Sequence, residues 1–246
     1  MDIIETLLES LQTDAPIQRI VVGAFWTAVV LDTDPPRCGL ASTLRAETHA
    51  VGPPVTKAGR LLNRSGRELA TMLRSSSVLE ASIGMAAFNA LLEIKETKWT
   101  EANAEEIILE RGTGRQVAIV GHFPFIERVQ QAAATCWVLE LRPHPGDLPA
   151  DRAGDVLPQA DVVALTGTSL INHTFKDLIR LCRPDAFVLL LGPTTPLTPI
   201  LFETGIDAVS GTRVIDPERV LRSVSQGATF RQIKRAGGVR LLTRAK

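Results

Sequence analysis

From Arg19 to Leu31 the chain runs R-I-V-V-G-A-F-W-T-A-V-V-L, a β-branched and aromatic stretch with a glycine in its middle. Such a run predicts one long bent strand or a hairpin, because branched and aromatic side chains fit a pleated surface better than a helix. A polar, acidic helix candidate, Asp2 to Thr13, precedes it. Asp34-Pro35-Pro36 then reads as a reversal that brings residues Cys38–Leu44 back as a partner strand. Glu47–Lys57, with Gly52-Pro53-Pro54, reads as a loop. Helical spacing comes next: Ser65 is a candidate N-cap ahead of R-E-L-A-T-M-L, and Val78–Glu93 places Ala81, Met85, Phe88 and Leu92 on one face. The first part is therefore an α+β unit.

A polar stretch, Glu96 to Gly114, divides this unit from the rest of the chain, so the expected domains are residues 1–105 and 106–246. Beyond it the period changes. Gln116–Val120, Thr135–Leu141, Val162–Thr166, Ala186–Leu191 and Ile206–Ser210 are short, mainly apolar runs separated by segments of helical length. That alternation predicts a parallel sheet covered on both faces, a Rossmann-like α/β unit. A terminal strand is expected at Gly238–Thr243. Ligands of open parallel sheets sit beyond the carboxyl ends of the strands, so the chemistry should lie in the loops that come after these runs.

Composition narrows the classes. Of 246 residues, 45% are apolar and 22% charged, which suits a globular chain and excludes disorder and fibrous repeats. Twenty-seven basic residues balance twenty-seven acidic ones, so no global field draws the chain to nucleic acid or to anionic lipid. Eight Lys or Arg from Arg219 onward, without aromatic interleaving, read as a solvated face. No run reaches the roughly 20 apolar residues of a membrane helix. Cys38, Cys136 and Cys182 lie far apart without a CxxC spacing, which fits a reducing cytoplasm; Cys136 and Cys182 read as core. There is no HExxH, GxSxG or GxxxxGK[ST]. With no tyrosine and four histidines, each histidine is weighed separately.

The loop after the first strand is Gly121-His122-Phe123-Pro124-Phe125. One glycine and two phenylalanines do not make the G-x-G-x-x-G that lets backbone approach a pyrophosphate, which argues against NAD or FAD. His122 is a candidate ligand, acid–base group or anion donor; the alternative is a helix cap. The second strand ends in Glu140-Leu141-Arg142-Pro143-His144-Pro145-Gly146-Asp147. Glu140 stands where such folds hold a ribose hydroxyl, while His144 reads as a solvated turn residue. The third ends in Thr166-Gly167-Thr168-Ser169-Leu170-Ile171-Asn172-His173-Thr174, richer in hydroxyls and amides than capping requires, which suggests a polar ligand at the positive end of the next helix. The fourth ends in Gly192-Pro193-Thr194-Thr195-Pro196, a loop stiffened by proline and opened by glycine, equally a binding rim or a plain strand-to-helix turn.

Four segments in order, E-A-S-I-G-M-A-A-F-N-A-L (Glu80–Leu91), G-H-F-P-F, T-G-T-S-L-I-N-H-T and L-G-P-T-T-P-L-T-P-I-L-F (Leu191–Phe202), resemble the putative heavy-metal chelation family, formerly known only as a domain of unknown function. The resemblance runs over nearly the whole chain. It implies an enolase-N-terminal-like domain joined to a Rossmann-like one, with the site in the cleft between them. Carried over by motif, Asn89 stands near the cleft, and His122, Phe123, Thr166, Thr168, Asn172, Thr174, Gly192, Thr194 and Pro196 line its Rossmann wall. His173 departs from the small residue common in the third motif. Glu140, Gly167 and Thr195 complete the expected ligand set. These loops are mainly hydroxyl, amide and backbone, so they suit a small polar or anionic metabolite, a chelator precursor or a metal chelate, better than a bare soft ion. Two alternatives stand beside this: direct metal binding by His122 with His173 or His144, and an enzyme with His122 as acid or base. The expected partner is a small molecule or metal chelate, and a homo-oligomer is compatible with the sequence.

Overall fold

The computed structural model describes residues 2–45 and 52–246. Part of the loop expected at 47–57, including His49, lies outside the described residues. The helices are α1 (Ile3–Glu9), α2 (Gly66–Ala70), α3 (Val78–Leu91), α4 (Ala104–Gly112), α5 (Ile126–Ala132), α6 (Ala153–Val156), α7 (Thr168–Ile171), α8 (Phe175–Leu181), α9 (Pro217–Ser225) and α10 (Phe230–Arg235). The strands are β1 (Ile17–Val22), β2 (Trp26–Leu31), β3 (Arg37–Ser42), β4 (Gln116–Val120), β5 (Thr135–Glu140), β6 (Leu148–Pro149), β7 (Val162–Thr166), β8 (Phe187–Leu191), β9 (Ala208–Val214) and β10 (Val239–Ala245). No helix among the described residues is long and apolar enough to cross a membrane.

Two sheets organise these elements. The smaller is an antiparallel β1-β2-β3 meander. Of the two readings of Arg19–Leu31, it is the hairpin that forms, turning at Gly23. The larger sheet has the order β10-β9-β8-β7-β4-β5-β6, parallel throughout except for β10, which runs antiparallel to β9 at the edge. The chain therefore has a mixed α/β architecture, a parallel-rich sheet joined to a smaller antiparallel one.

Alternation along the central strands explains why they read as unbroken apolar runs. Val117 and Ile119 of β4 pack with Val162, Ala164, Leu189 and Leu191 beneath Ile108 of α4 and Val129 of α5. Ala118, Val163, Leu165, Val188 and Leu190 face the other way, into a core continuous with Leu7, Val29 and α3. Both faces are apolar because both are covered.

The polar stretch 96–114 contains a helix that the apolar pattern did not signal. Asn103 caps α4 by accepting from the Glu105 amide at 3.2 Å, and Ile108 is fully buried while the other faces are charged. Helix α3 also differs from a one-faced helix. Ten of its fourteen residues are buried, because β3 and β2 lie on one side of it and α2 and α7 on others. Its backbone comes so close to β3 that a Cβ on Gly39 would stand 2.0 Å from the Ala86 carbonyl oxygen. The outer face of the small sheet, Ala28, Val30, Cys38 and Leu40, is covered by Val220, Leu221 and Val224 of α9 and Ile233 of α10. The carboxyl-terminal helices thus return to the amino-terminal sheet.

Candidate functional site

The parallel strands send all their outgoing loops to one edge. The chain steps from β4 outward to β5 on one side and later returns to place β7 on the other, so the order reverses between β4 and β7. Loops leave such a point in opposite directions and open a crevice between them. Gly121, with φ of +105°, stands there against Thr166, and the Phe123 ring packs over both Gly121 and Gly192. The small sheet closes the far side, and the result is a cleft of about 1370 Å³.

The cleft wall includes His122, Phe123, Glu140, Thr166, Thr168, Asn172, Gly192 and Thr194 from the strand-end loops. Facing them are Phe25 and Trp26 of the β1–β2 hairpin, Ser42 to Arg45 after β3, and Phe230, Arg231 and Lys234 of α10. Five aromatic rings, Phe25, Trp26, Phe123, Phe125 and Phe230, border the space; Phe123 stacks on Phe125 at 5.2 Å and Trp26 tilts against Phe230 at 5.5 Å. Charge is uneven. Arg45, Arg128, Arg142, Arg231 and Lys234 line it against Glu105 and Glu140, and Arg128 is ion-paired with Glu105. Two cations of the carboxyl-terminal basic run, expected on a solvated face, are on this wall because α10 packs beside the hairpin.

Five expected ligand residues do not line the cleft. Asn89 bridges backbone instead, its Nδ2 donating to the Leu40 carbonyl at 3.0 Å and the Thr194 carbonyl at 3.1 Å. Gly167 is a packing point: a Cβ there would stand 2.4 Å from Thr195 Oγ1. Thr195 and Pro196 are buried behind the rim, and Thr174 donates its hydroxyl to Asn172 Oδ1 at 2.7 Å. His173 is exposed at a left-handed turn with φ of +63° and lies outside both the cleft wall and the cluster of metal-ligating side chains found among the described residues. A lone helix end does not supply the anion attraction either, since α7 is a single turn with no macrodipole to speak of. The surplus hydroxyls are engaged among themselves: Thr166 Oγ1 meets Thr168 Oγ1 at 3.0 Å, and Ser169 donates to the Thr166 carbonyl at 2.7 Å. Asn172 Oδ1 accepts from both the amide and the hydroxyl of Thr174, which leaves its Nδ2 as the donor for the cleft.

Among the described residues, one group of three metal-ligating side chains converges: His122, His144 and Asp147. His144-Pro145-Gly146-Asp147 forms a turn closed by the Asp147 amide donating to the His144 carbonyl at 2.9 Å, with proline second and a glycine of φ +97° third. That is a type II turn, which brings its first and fourth side chains together. The His144 amide donates to Asp147 Oδ2 at 3.0 Å, so the turn also orients the carboxylate, whose side chain is only 5% exposed. His122 Nδ1 stands 3.2 Å from Asp147 Oδ2, His144 Nδ1 stands 3.4 Å from it, and the two Nδ1 atoms are 3.3 Å apart. Two imidazoles and a carboxylate are donors suited to zinc, nickel, cobalt or copper(II). The thiols do not join them. Burial pushes Cys38 up to about 12 and Cys136 and Cys182 to about 11, so all three stay protonated at neutral pH.

The fold and site define a class: a two-sheet α/β protein whose strand-end loops, small sheet and carboxyl-terminal helix enclose one cleft. The match to known families is more specific. Residues 4–92 and 103–243 match two family models, both described as putative heavy-metal chelation, and the chain belongs to that family. It is similar to a protein of unknown function from Desulfitobacterium hafniense, with a TM-score of 0.85 at 27% identity over 99% of this chain and 98% of that one. A second solved structure, from Pyrococcus horikoshii and also of unknown function, shares the fold with a TM-score of 0.82 at 18% identity over 100% and 98%. An uncharacterised protein of Methanocaldococcus jannaschii is 28% identical over 192 residues, 74% of this chain and 72% of that protein.

Proposed function

We propose that the chain binds a small anionic ligand in the cleft, a metal-chelating metabolite or its metal complex. The observation that carries this reading is the asymmetry of the wall: five cationic side chains against two carboxylates in a protein of zero net charge. A carboxylate- or phosphate-bearing molecule gains from that field, and flat aromatic rings around the same space favour a ligand with an apolar or planar body. Asn172 Nδ2 supplies a hydrogen bond that fixes orientation. The family description as putative heavy-metal chelation and the imidazole–carboxylate cluster beside the cleft favour a ligand that handles metal. Native mass spectrometry of the gently purified protein identifies a retained molecule, and calorimetry then measures its affinity for the wild type, His122→Ala and Asn172→Ala. Loss of at least tenfold in both variants supports the assignment; unchanged affinity in both overturns it.

A second reading, acid–base catalysis by His122, is favoured by one observation, its contact with the nearly buried Asp147 carboxylate, which orients the ring.

A further inference from the structure

We infer that His122, His144 and Asp147 form a three-ligand site for a borderline divalent cation of the zinc, cobalt or nickel type, with its fourth position left for an exogenous donor. The His122–Asp147 contact lies in hydrogen-bond range, and what carries the inference is that a second imidazole meets the same carboxylate oxygen, so that three potential ligand atoms converge. Here the two nitrogen–oxygen separations are 3.2 and 3.4 Å, and the two nitrogens stand 3.3 Å from each other. These three lengths describe a nearly equilateral triangle. A tetrahedral ion with bonds of about 2.0–2.1 Å sets its ligands about 3.3–3.4 Å apart, the edge observed.

The supporting contacts are those of a built site. The type II turn fixes His144 relative to Asp147, and the His144 amide holds the ligating oxygen. The positive φ of Gly121 turns the chain at the end of β4, immediately before His122. Both histidine side chains are accessible, at 42% and 62% exposure, so an ion can enter and a fourth ligand can reach it. His122 belongs to the cleft wall as well as to the triangle. An ion held there lies at the margin of the anion-binding space, and an oxygen or nitrogen of a chelating ligand completes the tetrahedron. Only that last step rests on the function proposed above; the three-ligand site stands without it.

The test titrates metal-free full-length protein with Co(II) and Zn(II) alone, by calorimetry and visible absorption. One ion per chain is expected, with the intense visible bands of tetrahedral Co(II). His122→Ala, His144→Ala and Asp147→Asn should each weaken binding by about tenfold or more and abolish those bands, since even outer contacts to a metal site are worth about 10–100-fold. His173→Ala should bind as the wild type does. Circular dichroism and the urea midpoint verify that each variant is folded; His144→Ala, in an exposed turn, decides the matter if Asp147→Asn disturbs the loop. Absence of stoichiometric binding, a six-coordinate Co(II) spectrum, or unchanged affinity in folded His144→Ala overturns the site. Lys234→Glu separates the two proposals: it should weaken binding of a cleft anion in metal-free protein and leave the Co(II) titration unchanged.

Discussion

Thr194 and Thr195 are adjacent, each 1% exposed, yet their hydroxyls have opposite circumstances. Thr194 Oγ1 accepts from the Ser42 amide at 2.9 Å and pairs with Ser42 Oγ at 2.9 Å, tying the end of β3 to the loop after β8 across the seam between the two sheets. Thr195 Oγ1 has no hydrogen-bond partner among the described residues. Valine keeps the shape of threonine and removes only the hydroxyl. Thr194→Val strands the Ser42 donor, at a cost of about 1–3 kcal/mol. Thr195→Val replaces an unsatisfied buried hydroxyl by a methyl, so it is neutral or stabilising by up to about 1–2 kcal/mol. In a chain of this size about 1 kcal/mol moves Tm by about 2–4 °C, so Thr194→Val should melt several degrees below the wild type and Thr195→Val at or above it. Urea unfolding checks the sign independently, with the midpoint shifting at constant slope. Equal destabilisation by both variants, or a larger loss at Thr195, would refute the assignment of the seam to Thr194.

Gly39→Ala should destabilise by about 3 kcal/mol or more and lower the urea midpoint, because overpacking usually costs about 1–3 kcal/mol and here the new Cβ meets the backbone of Ala86 and Ala90 at 2.0 and 2.3 Å, which cannot step aside as a side chain can. Asp161 accepts from the Gln116 amide and from Arg183, and these contacts outweigh burial to hold its carboxyl below the usual range. A depressed native value stabilises the fold above the ordinary aspartate range, about pH 3.9, and that contribution is lost as pH falls through the native value. Asp161→Asn should therefore lower Tm at pH 7, with the gap to wild type closing below about pH 4; a gap constant down to about pH 2.5 contradicts this. The raised thiol values predict that a thiol-specific reagent at about pH 8 reacts slowly with the native chain, Cys38 slowest, and rapidly with all three cysteines in denaturant.

The legibility of each element in the sequence has a physical cause. The central strands announce themselves because a sheet covered on both faces needs apolar residues on both sides of each strand, as Val162–Leu165 of β7 and all of β8 provide. Helix α4 escapes a reading by apolar period because only Ala104, Ile108 and Gly112 are buried, although Asn103, Glu105, Glu106 and Arg111 carry the cap and charge order of a helix. The strand-end loops of β4 and β7 border the cleft because strand order decides where a crevice opens. Their hydroxyls mislead: a threonine that bonds its neighbour in a tight loop looks in sequence the same as one that faces a ligand. His144 is readable as a solvated turn residue, and it is exposed, but the H-P-G-D spacing also specifies a turn whose ends meet. That is the available signal for Asp147. Arg231 and Lys234 carry none, because their presence on the cleft wall depends on α10 packing against a hairpin from the opposite end of the chain.

The most direct measurement is anomalous diffraction at the cobalt edge from crystals of the full chain grown with Co(II). The triangle of His122 Nδ1, His144 Nδ1 and Asp147 Oδ2 requires a single strong peak about 2 Å from each of the three atoms, with density for a fourth ligand on the open side. No peak at these residues at full cobalt loading, or a dominant peak elsewhere on the chain, would contradict a metal-handling cleft.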